Sequence, residues 1–461
     1  MYMPRVRLIV AVIVLVAALP SGCGLSHQAG LAQTPPTGWN SWNSGIELTE
    51  QSVEATIDAL VSSGMRDAGY RYVNLDAGWT LPHRGPHGEL LADPARFPDG
   101  LAAVARYAHD RGMRFGLYAS PYNEGCGETP AVASAGHETE DAKTFADWGV
   151  DFLKYDWCHG AADHQLQVRM FSTMRDALRS TGRPIVYSIV PGTSNDGTAA
   201  SRYDWSDIAD MARVGADLLP MWHDTLPVSG SSFPLVRGVF TGIPAAFAAA
   251  QKVSTGSKPG YWVDPDMLVI GVQWKSWVEQ ILAKARKRLA VGGLSPDQSA
   301  MLRSVAEMPD DGVQRLVTAE PNLTDTEQRS QLSLWALLSA PLIAGNDIRT
   351  MTGQTRDILT NREVIAVDQD PIVEPAHPIE ADSRVLAKRL SKGAVAVGLF
   401  NSSDQPASIG TTAAAVELIQ GPCYRVRDLW AHTDATTTGV IGGGVVAPHA
   451  VTLLRVTPGC S

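Results

Sequence analysis

The sequence has no basic stripe and no basic run interleaved with aromatic residues, and its 461 residues carry a formal charge of −10. That balance excludes nucleic acid as the natural partner. Cysteine is scarce, five in all; no two share a C-x-x-C spacing, and the eleven histidines include no His-x-His pair. Metal-ligand spacing is therefore missing, and neither a metal nor another cofactor is expected. Long apolar runs are also lacking. The N-terminal stretch Leu8–Leu19 follows Arg5 and Arg7 and stops at Pro20-Ser21-Gly22-Cys23, too short for a comfortable membrane span. A charged start, a short apolar core and small residues before a cysteine read as an export leader over 1–22. Cys23 is then a candidate for lipid attachment and a membrane tether, although Pro20 stands where such signals usually carry leucine. Simple cleavage nearby is the alternative. The mature chain is expected outside the cell or on its surface. Its remaining cysteines, Cys126, Cys158, Cys423 and Cys460, allow three pairings, and the two halves of the sequence suggest 126–158 and 423–460.

What is present is ordinary globular composition, with 44% hydrophobic and 19% charged residues. The length exceeds what one core usually fills, so two domains are expected. After a tether over 23–33, strand-like runs recur at Gly38–Asn40, Tyr72–Asp76, Arg114–Ala119, Phe152–Asp156, Ile185–Val190, Ala212–Val214, Tyr261–Val263 and Leu342–Ala344. Between them lie helical patterns such as Thr49–Ala68, with Val53, Ile57, Leu60 and Val61 at helical spacing, and Leu101–Arg111, closed by Gly112. Eight alternating β and α units imply a (β/α)8 barrel over 34–372. An insertion at about 272–320 holds helical patterns at Trp274–Leu289 and Ser295–Glu307, with a basic cluster at Lys284, Arg286, Lys287 and Arg288. It reads as a solvated helical hairpin, with a lid over the barrel mouth as the alternative. Past Asp370-Pro371 the rhythm changes. Arg384–Leu390 and Ala394–Phe400 flank Ser391-Lys392-Gly393 as a hairpin, and a small antiparallel β-sandwich is expected over 373–461.

One stretch carries most of the chemistry. In Val150-Asp151-Phe152-Leu153-Lys154-Tyr155-Asp156-Trp157-Cys158 a carboxylate lands at the C-terminal end of a barrel strand, where active-site loops converge. Lys154 points the same way, because side chains alternate along a strand, and it is expected to keep Asp156 ionised as a nucleophile needs. A structural salt bridge is the competing reading.

A resemblance now appears along nearly the whole mature chain, apart from the insertion. Thr34-Pro35-Pro36-Thr37-Gly38-Trp39-Asn40-Ser41-Trp42-Asn43 is similar to the barrel opening of glycoside hydrolase family 27, the α-galactosidase and α-N-acetylgalactosaminidase family. Tyr72-Val73-Asn74-Leu75-Asp76, Phe115-Gly116-Leu117-Tyr118, Lys154-Tyr155-Asp156-Trp157-Cys158, Asp264-Pro265-Asp266-Met267-Leu268 and Ser333-Leu334-Trp335-Ala336-Leu337 continue it. Pro341–Asp347 and Val364–Pro371 complete the barrel, and Arg427-Asp428-Leu429-Trp430 and His449-Ala450-Val451 resemble the family's C-terminal domain. Each match is weak alone; their order makes the set specific.

The resemblance implies a retaining hydrolase of α-linked sugars, with Asp156 as nucleophile and Asp217, in Arg213-Val214-Gly215-Ala216-Asp217, as acid/base. Such chemistry needs one ionised and one protonated carboxyl flanking the scissile bond. Arg213 is expected to grip a sugar hydroxyl rather than Asp217, an ordinary ion pair being the alternative. Trp42 would wall the sugar, Asp76 would accept from hydroxyls far from the bond being cut, and Asp266 from the 2-hydroxyl. Tyr118 and Lys154 are carried over as further contacts, Trp39 is assigned to the core, and Cys126–Cys158 matches a disulfide beside the nucleophile.

Two departures bear on the substrate. The family usually shows paired aspartates after strand two, and here the pair is Asp76-Ala77. Losing a charge-assisted hydrogen bond to galactose weakens binding by roughly 1.5–3 kcal/mol. After strand five, Val190 stands among residues replacing those that read the 2-substituent. The expected substrate is an oligosaccharide or polysaccharide with an α-linked terminal sugar: an α-galactoside or a close relative such as a β-L-arabinopyranoside. An α-glucan, as for the family's isomaltodextranases, is the alternative. A non-catalytic surface carbohydrate-binding protein is the reading from another class, disfavoured by retention of both Asp156 and Asp217.

Overall fold

A computed structural model describes residues 30–460 except 124, 126–131, 158–162, 193–198, 225–239 and 293–295. The leader, Cys23 and the Cys126–Cys158 pair lie outside the described residues.

All eight expected strands form, with ends shifted by two residues or fewer. They are β1 (Thr37–Asn40), β2 (Tyr72–Asn74), β3 (Arg114–Ala119), β4 (Phe152–Asp156), β5 (Val186–Val190), β6 (Met211–Arg213), β7 (Trp262–Asp264) and β8 (Leu342–Ala344). From β1 to β7 the strands pair in parallel in chain order, and β8 pairs with β1. The ring closes just past β7. Leu268 N–H donates to the Ile343 carbonyl at 2.8 Å and the Leu268 carbonyl accepts from Gly345 N–H at 3.0 Å. The strands are almost wholly buried, because helices cover them from outside.

The helices follow their sequence cues. Thr49 caps α1 (Glu50–Ser62) through a reciprocal pair with Ser52, and Val53, Ile57 and Leu60 face the core while Val61 stays half-buried. The Thr49–Ala68 pattern breaks at Gly64, whose φ of +86° suits glycine and not a branched side chain. Leu101–Asp110 forms α2, ended as expected by Gly112 at φ +71°.

Two readings of the sequence are corrected here. The described end of the tether is packed against the floor of the barrel. Leu31 is buried beside Trp262, and the Ala32 carbonyl accepts from Trp262 Nε1 at 2.7 Å. The insertion is not a solvated hairpin. It comprises three helices, α3 (Trp274–Val291), α4 (Pro296–Ala306) and α5 (Asp310–Val317). Trp274, Trp277, Val278, Leu282 and Ala285 of α3 are buried in the main core, and Trp274 Nε1 donates to the Leu316 carbonyl of α5 at 2.9 Å. The indoles of Trp274 and Trp277, neighbours on α3, stack 5.3 Å apart.

The C-terminal part is antiparallel throughout. A six-stranded sheet faces a two-stranded one, Ala407–Thr412 with Val440–Val446, over a separate core that includes Val397, Leu399, Ile409 and Ile441. The expected hairpin joins Asp382–Arg389 to Val395–Phe400 through Lys392 and Gly393, both at positive φ. Cys423 and Cys460 are disulfide-bonded. The buried Lys388 ammonium ties this part to the barrel, donating to the Ala336 carbonyl at 2.8 Å and to Ser339 Oγ at 2.6 Å.

Candidate active site

Parallel strands in a closed barrel send their C-terminal ends to one face, so residues far apart in sequence meet there. Trp42, Asp76, Tyr118, Lys154, Asp156, Arg213, Asp217 and Asp266 all line one cavity of about 210 Å3 at that face. Trp39, by contrast, is fully buried, its indole N–H donating to the Asn346 carbonyl at 2.8 Å.

Asp156 ends β4 at the cavity wall, and Tyr118 from the adjacent strand donates its hydroxyl to Asp156 Oδ2 at 3.1 Å. Lys154 shares the same face, as the period of two requires, yet its ammonium pairs with Asp76 at 2.7 Å. Lys154 still favours the ionised form of Asp156, as expected, but its direct ion pair is with Asp76 and burial outweighs it. Burial pushes the Asp156 carboxyl up to about 6; Lys154 and Arg213 lower it, whereas Asp217 and Asp76 raise it. Asp76 goes the other way. Its burial is outweighed by the Lys154 ammonium, the Ala77 N–H at 2.9 Å and the Asn40 amide at 2.9 Å, which hold it below the usual carboxylate range.

Four residues past β6, Asp217 opens a short parallel pair, Asp217–Leu218 with Phe240–Thr241. Arg213 Nη2 lies 2.6 Å from Asp217 Oδ1, and Arg213 Nη1 lies 3.5 Å from Asp266. Direct contact between Arg213 and Asp217 is the ion pair that stood as the alternative to a guanidinium gripping a sugar hydroxyl. Asp217 keeps 37% of its side chain exposed, against 7% for Asp266. Asp217 thus sits toward the opening.

Asp266 is held by backbone: Leu218 N–H donates to Oδ2 at 2.9 Å and Met267 N–H to Oδ1 at 2.7 Å. Its own φ is +93°, an uncommon conformation for an L-residue. The amide of Asp266 donates to Asp264 Oδ1 at 2.8 Å and its carbonyl accepts from Trp335 Nε1 at 2.9 Å, contacts that hold that backbone in place. Asp264 is a carboxylate the sequence reading quoted without a role. Burial and the adjacent Asp266 push it up to about 7. Its place at the end of β7, in register with Arg213, was the available signal.

At the two substrate-related departures the structure divides. Ala77 lines the cavity, as expected. Val190 does not: it is buried, and among the described residues that follow β5 it is Gly192, without a side chain, that lines the cavity. Sequence reasoning also missed Phe240, Trp277 and Ile281, which form an apolar wall beside Asp217 and Leu218. Phe240 and Trp277 meet edge to face at 5.9 Å. The wall belongs partly to the insertion, whose placement only the tertiary structure decides.

Comparison with known proteins agrees with this architecture. The family model described as alpha galactosidase A matches residues 34–294 and 295–370, and the one described as the alpha galactosidase C-terminal beta sandwich domain matches residues 380–456. The chain is 33% identical to an alpha-galactosidase of Cyamopsis tetragonoloba over 93% of its length and 87% of the relative's. It is 31% identical to alpha-galactosidase A of Cellvibrio japonicus, over 93% of both chains. Among solved structures, alpha-galactosidase I from Mortierella vinacea superposes with a TM-score of 0.74 at 29% identity, covering 94% of this chain and 99% of that one.

Proposed function

Since the chain belongs to the α-galactosidase family of glycoside hydrolases, we propose that it hydrolyses α-galactosides by double displacement, with Asp156 attacking the anomeric carbon and Asp217 serving as acid and then base. The observation that carries this reading is the convergence of both carboxyls, Arg213, Lys154 and four further polar or aromatic residues, Trp42, Asp76, Tyr118 and Asp266, on one cavity.

Position supports the division of roles. Tyr118 donates to Asp156 Oδ2 and so steadies the carboxylate at the strand end. Asp217 lies at the opening, where a leaving group departs. To deliver a proton, Asp217 has to share or release its contact with Arg213. A sugar hydroxyl accepting from the guanidinium would do this, coupling binding to acid catalysis. The Asp76–Lys154 pair at the far end offers a charged acceptor and donor for hydroxyls remote from the reacting carbon.

Asp156→Asn tests the reading on nitrophenyl α-galactoside. Turnover is expected to fall by at least a thousandfold with the thermal transition retained, and near-normal turnover would remove Asp156 from the mechanism. Ala77 and Gly192 favour a second reading in which the sugar is not galactose, an α-glucan included; rates on nitrophenyl α-galactoside, α-glucoside, α-N-acetylgalactosaminide and β-L-arabinopyranoside separate the two. We also infer export through the leader 1–22, with Cys23 as a lipid anchor. Cell fractionation and the mass of the mature N-terminus test that inference.

A further inference from the structure

Among the described residues, three side chains from distant parts of the chain bring donor atoms to one point away from the catalytic cavity. They are His223, Asp404 and His449, each offering one ligand atom, and these atoms all lie within 4.8 Å of one another. His223 follows the Asp217–Leu218 strand on the barrel side, and Asp404 lies in the loop between Val395–Phe400 and Ala407–Thr412. His449 occupies the turn before the last strand, Val451–Pro458. The cluster therefore sits where the barrel meets the C-terminal sandwich. Each residue comes from a different loop, so no local spacing marks the site. None of the three lines the catalytic cavity.

Asp404 Oδ1 is the hub, 2.8 Å from His449 Nε2 and 3.4 Å from His223 Nε2. The other ring nitrogen of His449, Nδ1, lies 2.7 Å from Glu327 Oε1. The same imidazole stacks on the buried Trp222 indole, with centroids 4.7 Å apart, and Ser330 Oγ donates to the His449 carbonyl at 2.7 Å. Ring and backbone of His449 are thus both held in place. With Nδ1–H donated to Glu327, the Nε2 lone pair faces a carboxylate oxygen, one acceptor against another. A cation between them removes the conflict. A proton would serve that one pair, whereas a metal ion also takes up His223, whose Nε2 approaches the same oxygen. A histidine whose far nitrogen is gripped by a carboxylate is the usual arrangement around a bound metal, because that grip fixes the ring and makes the ligating nitrogen more basic.

We propose that His223, Asp404 and His449 form a binding site for a divalent transition metal of the zinc type. Two imidazole nitrogens and one carboxylate oxygen suit Zn2+, whereas Mg2+ and Ca2+ take mainly oxygen ligands. Bonds of about 2.0–2.2 Å set tetrahedral donors roughly 3.3–3.6 Å apart. Rotation of the exposed His223 and Asp404 side chains brings the three donors to that spacing, and water fills the fourth position from the solvent side. The ion acts as a clamp, tying the segment that runs on from Asp217 to the sandwich. The site stands independently of the hydrolase reading.

The test titrates zinc chloride into the full mature chain, stripped of metal with EDTA, by calorimetry. One equivalent is expected to bind, and the thermal midpoint should rise with added Zn2+. His223→Ala and Asp404→Ala, both at exposed positions, should each weaken binding at least about tenfold and abolish that rise, while the metal-free variants melt like the metal-free parent. Co2+ in place of Zn2+ should give the intense visible bands of a tetrahedral site, lost in His223→Ala. Binding that millimolar Mg2+ displaces would overturn the transition-metal assignment. An absence of binding overturns the site and leaves His449 as an imidazolium between two carboxylates. Binding of equal strength in the parent and both variants overturns it too, by placing the metal elsewhere on the surface.

Discussion

Arg213 Nη2 and Asp217 Oδ1 lie 2.6 Å apart, while the same guanidinium lowers the Asp156 carboxyl that burial has raised to about 6. One cation therefore influences both proposed catalytic carboxyls. Burial taken alone would suit Asp156 to the acid's role, because a raised pKa marks an acid. Position argues the other way, and the pH profile decides.

If Asp156 is the nucleophile it must be ionised, so kcat/KM on nitrophenyl α-galactoside should rise as pH increases through an apparent pKa near 6. A fall through the same value would make Asp156 the acid. Arg213→Gln removes a cation that favours ionised Asp156. The acid limb should move to higher pH, with kcat/KM reduced about a hundredfold; an unmoved limb would detach Arg213 from Asp156.

Asp217→Ala should reduce kcat on substrates with poor leaving groups, such as disaccharides, by roughly a thousandfold or more, within the usual range for general acid catalysis. Nitrophenyl glycosides, whose leaving groups need little protonation, should lose far less in the bond-breaking step. Equal losses across a leaving-group series would count against the acid role.

Trp277 contributes an insertion-derived wall beside Asp217, packed edge to face on Phe240. Trp277→Ala should raise KM for aryl glycosides about tenfold, the scale of about 1.4 kcal/mol, and barely alter it for the methyl glycoside. A uniform change in both would place Trp277 in the fold and not in aglycone binding.

The Cys423–Cys460 bond closes a segment with a sequence separation of 37, far from the cavity-lining residues in sequence. Replacing both with alanine should destabilise the C-terminal domain by roughly 2–4 kcal/mol. Denaturant unfolding measures this. KM should be unchanged, since no residue of that segment lines the catalytic cavity.

Much of this molecule could be read along the chain because its local signals agree with its fold. The period-two burial that set Lys154 and Asp156 on one face, the glycine ending the helix before β3, and the turn at Lys392-Gly393 are all short-range facts. Strand ends were legible within two residues, since apolar runs bounded by polar turns leave little freedom. The nominated site residues were accessible for the same reason: a charged or aromatic side chain at the end of a buried strand has only the barrel mouth to face.

Pairing among those side chains was not legible. From sequence, Lys154 is as able to meet Asp156 as Asp76, and the choice depends on where β2 sits beside β3 and β4. The insertion failed for a related reason. Its amphipathic face shows that α3 packs against something, but helical periodicity does not say what, and only the assembled barrel sets Trp277 beside Asp217 and Lys284 over Trp42. Local chemistry determined the strands, caps and candidate carboxylates; distances across the mouth, and with them the ion pairs, exist only once the ring of strands has closed.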